Sequence, residues 1–250
     1  MSASIGLIVG SGVAALPLEP IARSPTKTPY GPPSSAILTV LIGGVRVACV
    51  VRHGETHAIA PHEVNYRANL WALYQYGVRR CVGVNVVGAI AAGFEPGDLA
   101  VPRQLVDYTW GRAATFGAAN DRVLHVEFSE PFDARLRAQI VAAIAANAPR
   151  VHEGVYGVTQ GPRLETAAEV DRLARDGCTM VGMTAMPEAV LARELGIGYA
   201  ICALAVNRAA GRAPGGAGIH AEIETHLAAG MRRVADVLER LLPELGRDAL

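Results

Sequence analysis

Little in this 250-residue chain points toward a large charged or membranous partner. Basic and acidic residues balance at 23 each, so there is no electrostatic case for nucleic acid as a partner. No apolar run reaches the roughly 18 residues of a membrane span, and the first residues lack the basic start of a secretory leader. Cysteine is scarce. Cys49, Cys81, Cys178 and Cys202 each sit inside an apolar run and none has Cys-x-x-Cys spacing, a pattern that reads as buried free thiols in a reducing cytoplasm. Internal repeats, low-complexity tracts and linkers are also missing, so the expectation is one cytoplasmic domain over residues 1–250, with no membrane association.

What is present is apolar and glycine-rich. Hydrophobic residues make up 51% of the chain and glycine occurs 27 times, as in α/β folds whose parallel strands are covered on both faces. The stretch from Gly177 to Gly211 shows the pattern best. Val181 to Met183 ends an apolar run, Thr184 follows, and Pro187-Glu188 opens a helix, proline being tolerated at the first helical position. That helix, Glu188 to Leu195, closes at Gly196, and a second buried run, Ile197 to Val206, is stopped by Asn207. Two strand ends should therefore deliver Met183-Thr184 and Asn207 to one edge of a parallel sheet, the edge at which open α/β sheets bind ligands. An amide at the end of a buried run offers a donor and an acceptor in a dry setting. The expected fold class is α/β, with a central mixed, largely parallel twisted sheet flanked by helices.

Two other strand exits carry polar residues. Ile5 to Val9 runs into Gly10-Ser11-Gly12, with Ala15 in the third small position of a dinucleotide fingerprint. Pro17 and Pro20 break the helix that this fingerprint requires, and no acidic residue follows about 20 positions on to hold a ribose. What is left is a glycine turn, either purely structural or one whose N–H groups and Ser11 hydroxyl hold an anion. Ala36 to Leu41 and Val45 to Val51 read as strands joined at Gly43-Gly44. The second exits into Arg52-His53-Gly54-Glu55-Thr56-His57. Arg and His at a strand exit suit a dianion, which a guanidinium grips bidentately. A metal pair, His53 with His57, needs a continuous helix that Gly54 and Pro61 oppose; an exposed Arg–His pair without a ligand is the plainer alternative. The His53-x-Glu55 pattern also lacks the Pro-Cys-x-x-Cys of zinc deaminases.

The remaining elements alternate in the same way. Residues 24–35 form a proline-rich loop, His62 to Tyr76 a helix stopped by Gly77, and Cys81 to Val87 a strand holding Asn85, which must find hydrogen-bond partners if buried. Leu99 to Tyr108 reads as a strand, Trp110 to Asn120 as irregular, and His125 falls in a short strand-like segment. The helix Asp133 to Asn147 precedes a strand, Gly154 to Thr159, which leads into Gln160-Gly161-Pro162-Arg163-Leu164-Glu165-Thr166. Thr166 is placed to cap the helix Ala167 to Asp176, and Glu165 to favour its dipole. Arg208 to Gly218 is a glycine-rich loop. The last helix, from about Ala221 to Leu242, carries Leu227, Met231, Val234, Leu238 and Leu241 as its core stripe.

Six segments, in order, resemble the trimeric purine nucleoside phosphorylases and 5'-methylthioadenosine phosphorylases: IVGSG, RHGETH, HEVNYRANLWAL, PGDLAVP, GPRLET and VGMTAMPEAVLARELGI. The resemblance covers nearly the whole chain and implies a nucleoside phosphorylase fold. By it, the anion is inorganic phosphate, a co-substrate rather than a cofactor, held by Ser11, Arg52, His53 and Thr184. Asn85-Val86 stand where the methylthioadenosine enzymes carry Thr-Ala at the phosphate. Met183 matches the position against the ribose, with Leu164 nearby in GPRLET. His125 matches a residue that reaches the neighbouring subunit's site, which implies a homotrimer with shared sites.

The same resemblance implies a substrate. Family members that cleave 6-aminopurines carry aspartates at the end of the last strand, whereas those acting on 6-oxopurines carry Asn there and Glu in GPxxET. This chain has Asn207 and Glu165. The chemistry agrees, because a carboxylate accepts strongly from the N1–H of a 6-oxopurine and repels the bare N1 of adenine. Ile223 falls where inosine-cleaving relatives place a His against the 5'-hydroxyl, and suits a thioether methyl instead. The implied reaction is phosphorolysis of 5'-methylthioinosine by an enzyme needing no metal or organic cofactor, with Asn207, His53 and Thr184 as the catalytic groups. A general inosine and guanosine phosphorylase, a methylthioadenosine phosphorylase and a non-catalytic nucleoside-binding scaffold are the alternatives.

Overall fold

A computed structural model describes residues 4–117, 123–147, 150–213 and 218–247. Parts of two loops named above, 118–120 and 214–217, lie outside the described residues. The strands are β1 (Ile5–Val9), β2 (Pro20–Ser24), β3 (Ile37–Ile42), β4 (Val45–Val51), β5 (Arg80–Ala89), β6 (Leu99–Ala100), β7 (Gln104–Asp107), β8 (Val155–Val158), β9 (Met180–Gly182) and β10 (Gly198–Arg208). The helices are α1 (Tyr66–Gln75), α2 (Ala134–Ala145), α3 (Ala167–Arg175), α4 (Ala185–Glu194) and α5 (Ile219–Arg247). The strands form one ten-stranded sheet in the order β2-β3-β4-β1-β5-β9-β8-β7, with β10 beside β5 and β6 beside β10. The mixed sheet of the expected α/β class is present.

Strand periodicity divides the core into two layers. On β10, Tyr199, Ile201, Ala203 and Ala205 pack into the layer containing Leu70 and Leu73 of α1 and Leu191 of α4. The alternate residues Ala200, Cys202, Leu204 and Val206 pack against Leu136 of α2 and Met231, Val234 and Leu238 of α5. Burial on both faces is why these strands read as continuous apolar runs. All four cysteines are buried and unpaired, and burial pushes the Cys49 and Cys202 thiols up to about 12.

Four differences from the sequence reading bear on the site. The Met183-Thr184 and Asn207 ends do not share a parallel edge: β9 runs antiparallel to β5, whereas β10 runs parallel to it. The expected strand Leu99–Tyr108 is two strands, β6 on β10 and β7 on β8. Pro102 lies between them and cannot donate to a ladder, so the chain changes partner there. The segment holding His125 is irregular and exposed rather than a strand. Finally, β2 was hidden from sequence because it is an exposed edge strand without alternation, beginning at Pro20.

Helix ends follow local rules. Asn65 accepts from Ala68 N at 3.1 Å and so starts α1 later than the expected His62. Thr166 and Glu169 form a reciprocal capping box at α3. α4 turns regularly only after Met186, whose backbone is extended (φ −114°, ψ 137°).

Candidate functional site

The site opens where β5 loses a neighbour. On one edge β5 pairs with β10 along its length. On the other it pairs with β1 from Arg80 to Val84 and with β9 only at Gly88 and Ala89. Asn85, Val86 and Val87 thus lie in a gap between β1 and β9. A cavity of about 560 Å³ occupies this gap. It is bordered by Ser11, Arg52, His53, Val86 and Thr184, by Leu164, Glu165, Met183 and Asn207, and by Ile223. Ten of the twelve residues singled out in the sequence therefore share one cavity; Asn85 and His125 do not border it.

One end is a buried polar network. Arg52 is 1% exposed. Its Nε donates to Glu188 Oε1, and its Nη2 to Glu188 Oε2 at 2.9 Å and to Asn85 Oδ1 at 3.1 Å. Nη1 donates to the Val84 carbonyl at 3.1 Å, which leaves one Nη1 hydrogen of the five available. The bidentate fork expected to grip a dianion is occupied by Glu188. Burial opposes the charge on Arg52, but the adjacent Glu188 carboxylate more than reverses this and holds the guanidinium ionised. A Cβ at Gly10 would lie 2.7 Å from Arg52 Nη1 and 3.5 Å from His53 Nε2. Both groups therefore face the Gly10–Ser11 turn, and only glycine leaves them room.

Asn85 sits one layer behind. Besides accepting from Arg52, it donates to Thr184 Oγ1 at 2.9 Å, with the Tyr156 hydroxyl in the same network at 3.5 Å from Asn85 Nδ2. His53 is fixed through Nδ1, 2.8 Å from the Ile59 carbonyl. A carbonyl only accepts, so Nδ1 carries the hydrogen and Nε2 presents a lone pair when the ring is neutral. Burial, then the neighbouring Arg52 charge, lowers the His53 pKa from 6.5 to about 4. At neutral pH this end presents an acceptor on His53, hydroxyls on Ser11 and Thr184, and one N–H on Arg52. That set matches a hydrogen phosphate ion, which carries both an O–H to donate and oxygens to accept.

The same wall also carries two polar side chains, Glu165 and Asn207, and an apolar stripe from α5. Glu165 Oε1 accepts from Thr159 Oγ1 at 2.5 Å. Asn207 donates one Nδ2 hydrogen to the Arg208 carbonyl at 2.7 Å, leaving the other and Oδ1 available. Arg208 in turn binds Glu222 in the first turn of α5, with Nη1 to Oε1 at 3.0 Å, so β10 and α5 meet at the cavity. Ile219, Ile223 and Leu227 fall at i, i+4, i+8 on α5 and line its apolar side, with His220 beside them.

Sequence reasoning missed several contributors. His57 borders the cavity, its Nε2 3.4 Å from Ser11 Oγ. Glu188 had a signal, a carboxylate inside a run otherwise apolar, yet it was read only as a helix start. His220 had none, since it follows a glycine-rich loop. His125 is exposed and does not line the cavity of its own chain.

Residues 4–243 match the profile of the Phosphorylase superfamily. A probable S-methyl-5'-thioinosine phosphorylase of Pseudomonas syringae pv. tomato is 48% identical over 239 residues, covering 94% of this chain and 97% of that protein. A 6-oxopurine nucleoside phosphorylase of Pyrococcus furiosus is 42% identical over 214 residues, 83% of this chain and 80% of the other. Among solved structures, methylthioadenosine phosphorylase from Schistosoma mansoni in complex with adenine superposes with a TM-score of 0.91 at 30% identity, over 98% of this chain and 92% of that one. With a polar cavity beside β5 and a match along nearly its full length, the chain belongs to the Phosphorylase superfamily and is an enzyme of the purine nucleoside phosphorylase type.

Proposed function

We propose that the protein cleaves S-methyl-5'-thioinosine with inorganic phosphate, yielding hypoxanthine and 5-methylthioribose 1-phosphate. One observation carries the reading: a single cavity has Glu165 and Asn207 at one part of its wall and the apolar stripe Ile219, Ile223 and Leu227 at another. Names of similar proteins in Xanthomonas campestris and Pseudomonas syringae support the same substrate.

In this reading Glu165 accepts the purine N1–H, and Asn207 donates to N7 while negative charge builds on the base. The C1'–N9 bond breaks with its electron pair going to the purine, which takes up a proton on leaving; in net balance this is the proton that hydrogen phosphate gives up as it becomes a monoester. A phosphate oxygen then forms the bond to C1'. Ser11, His53, Thr184 and the free Arg52 N–H hold that phosphate beneath an oxocarbenium-like sugar, with Val86 beside it, and Met183 and Leu164 flank the nucleoside. Catalysis is positioning and preorganised electrostatics. An adenine ring would set its bare N1 against Glu165, leaving a buried acceptor unpaired at a cost of about 1–3 kcal/mol.

A second reading, a general inosine and guanosine phosphorylase, draws on His220. This imidazole stands beside Ile223 at the cavity and has a donor for a 5'-hydroxyl. Assays of methylthioinosine, inosine and methylthioadenosine under one phosphate concentration separate the readings. Preference for methylthioinosine upholds the proposal, preference for inosine replaces it with the second reading, and preference for methylthioadenosine removes the Glu165 assignment.

The proposal includes a homotrimer in which His125 completes a neighbour's site. Its support is the apolar exposure beside His125 in the chain: Val123 is 81% and Leu124 50% exposed. Light scattering tests it; a monomer with full activity would overturn it.

A further inference from the structure

The segment after β7 is irregular, and nothing in the mechanism above uses it. Its Arg112 is nevertheless one of the most heavily bonded side chains in the molecule. Nη1 donates to the carbonyls of Met183 at 2.7 Å and Met186 at 2.6 Å. Nη2 donates to the Gln160 carbonyl at 2.9 Å, and Nε to the Gln160 side-chain oxygen at 3.2 Å. Nη1 also lies 3.3 Å from the Tyr66 hydroxyl, which donates to the Pro61 carbonyl at 2.7 Å.

These partners belong to three separate stretches of the cavity wall. Gln160 leads into Gly161, Pro162, Leu164 and Glu165. Met183 and Met186 flank Thr184. Pro61 ends the 57–61 segment. The two larger stretches also touch: at Gly161, with φ +63°, a Cβ would lie 2.5 Å from Met183 Sδ. One planar cation with five donors in fixed directions is suited to tie several carbonyls at once; an ammonium, with three donors around a point, is not. The network of Arg52, Glu188 and Asn85 holds the other end of the cavity without any contact to Arg112 among these bonds.

We propose that Arg112 is a positioning residue for the nucleoside half of the site: it sets the separation between the Met183 wall and the loop that carries Glu165. It touches no substrate. The inference rests on the functional reading above, since it assumes that purine and ribose bind between those walls.

Wild type, R112A and R112K are to be compared by steady-state kinetics with each substrate varied in turn, and by calorimetric titration with hypoxanthine and with inorganic phosphate. R112A is expected to raise the nucleoside KM about 100-fold and weaken hypoxanthine binding in parallel, with the phosphate KM changed less than about twofold, because misplacement of a wall by about 1 Å has effects of that size. R112K is expected to lie between. Guanidinium at sub-denaturing concentration is expected to restore part of the loss in R112A and none in wild type, a response that a general loss of stability would not give. Equal losses for nucleoside and phosphate, or an unchanged nucleoside KM in an active enzyme, would overturn the inference. Should R112A fail to fold, R112K decides: a selective rise in nucleoside KM supports the proposal and kinetics like wild type overturn it. A wild-type protein inert toward every purine nucleoside would overturn the functional reading and this inference with it, an outcome distinct from an active wild type matched by R112A.

Discussion

The two ends of the cavity are built differently. The proposed phosphate end hangs from strand exits and a fully buried ion pair. Arg52 follows β4, Asn85 lies within β5, and Glu188 and Tyr199 close the network, with Tyr199 Oη donating to Glu188 at 2.8 Å. The proposed nucleoside end is assembled from loops, from the end of β10, where Asn207 is buried, and from the first turns of α5, where the side chains are partly exposed. A buried network tolerates little change because each polar group depends on the next. A wall of separate apolar side chains can alter one contact at a time. The phosphate end should therefore govern stability and turnover, and the nucleoside end specificity.

The strongest way to break that contrast is Glu188→Ala. It strands the Arg52 cation in the core, and loss of one partner of a buried pair costs about 3–5 kcal/mol. The expected result is a much lower denaturation midpoint together with lost phosphate binding; an unchanged midpoint would contradict the assigned role. At the nucleoside end, pairing Glu165→Gln with Asn207→Asp should lower stability far less than Glu188→Ala, since the one bond lost is the Asn207 donation to the Arg208 carbonyl. It should shift relative kcat/KM from methylthioinosine toward methylthioadenosine by roughly 10- to 100-fold, the equivalent of about 1–3 kcal/mol of unpaired polar groups. Smaller still is Ile223→His, which introduces a donor near the 5' position. Inosine should gain on methylthioinosine by about tenfold, within the range of one hydrogen bond, as competition kinetics would show.

The last expectation vanishes at neutral pH. His53 titrates near 4 in the fold against 6.5 for an exposed imidazole. Between those values the unfolded chain binds more protons, so stability rises with pH there and falls on acidification. Above 6.5 the ring is neutral in both states and the effect disappears. Melting temperatures from pH 7 to pH 4 should fall less in His53→Gln than in wild type; parallel curves would show that His53 is not held neutral.

Much of this was legible in the chain because it is local. Val45–Val51 is a strand by its apolar run, and its exit residues Arg52 and His53 stand where that run ends. Thr166 caps α3 through residues three positions away. The edge strand β2 was not legible, since solvent on its exposed side removes the alternation by which strands are recognised. The break at Pro102 was visible as a residue but not as a change of partner, because partner choice depends on β10 and β8, which come later in the chain.

The site divides along the same line. Residue identity alone determined which groups bring charge, hydroxyl or amide to strand ends, and hence the class of chemistry. Only the tertiary structure decided what those groups have left to offer. Arg52 and Glu188 are 136 residues apart, and their pairing turns an expected bidentate anion grip into a single free N–H. Asn85 retreats behind Thr184, and Arg112, a residue of an irregular stretch, ties walls supplied by distant segments. Hydrogen-bond capacity is a property of a side chain, but which part of it remains available depends on neighbours that the fold brings in from far along the chain.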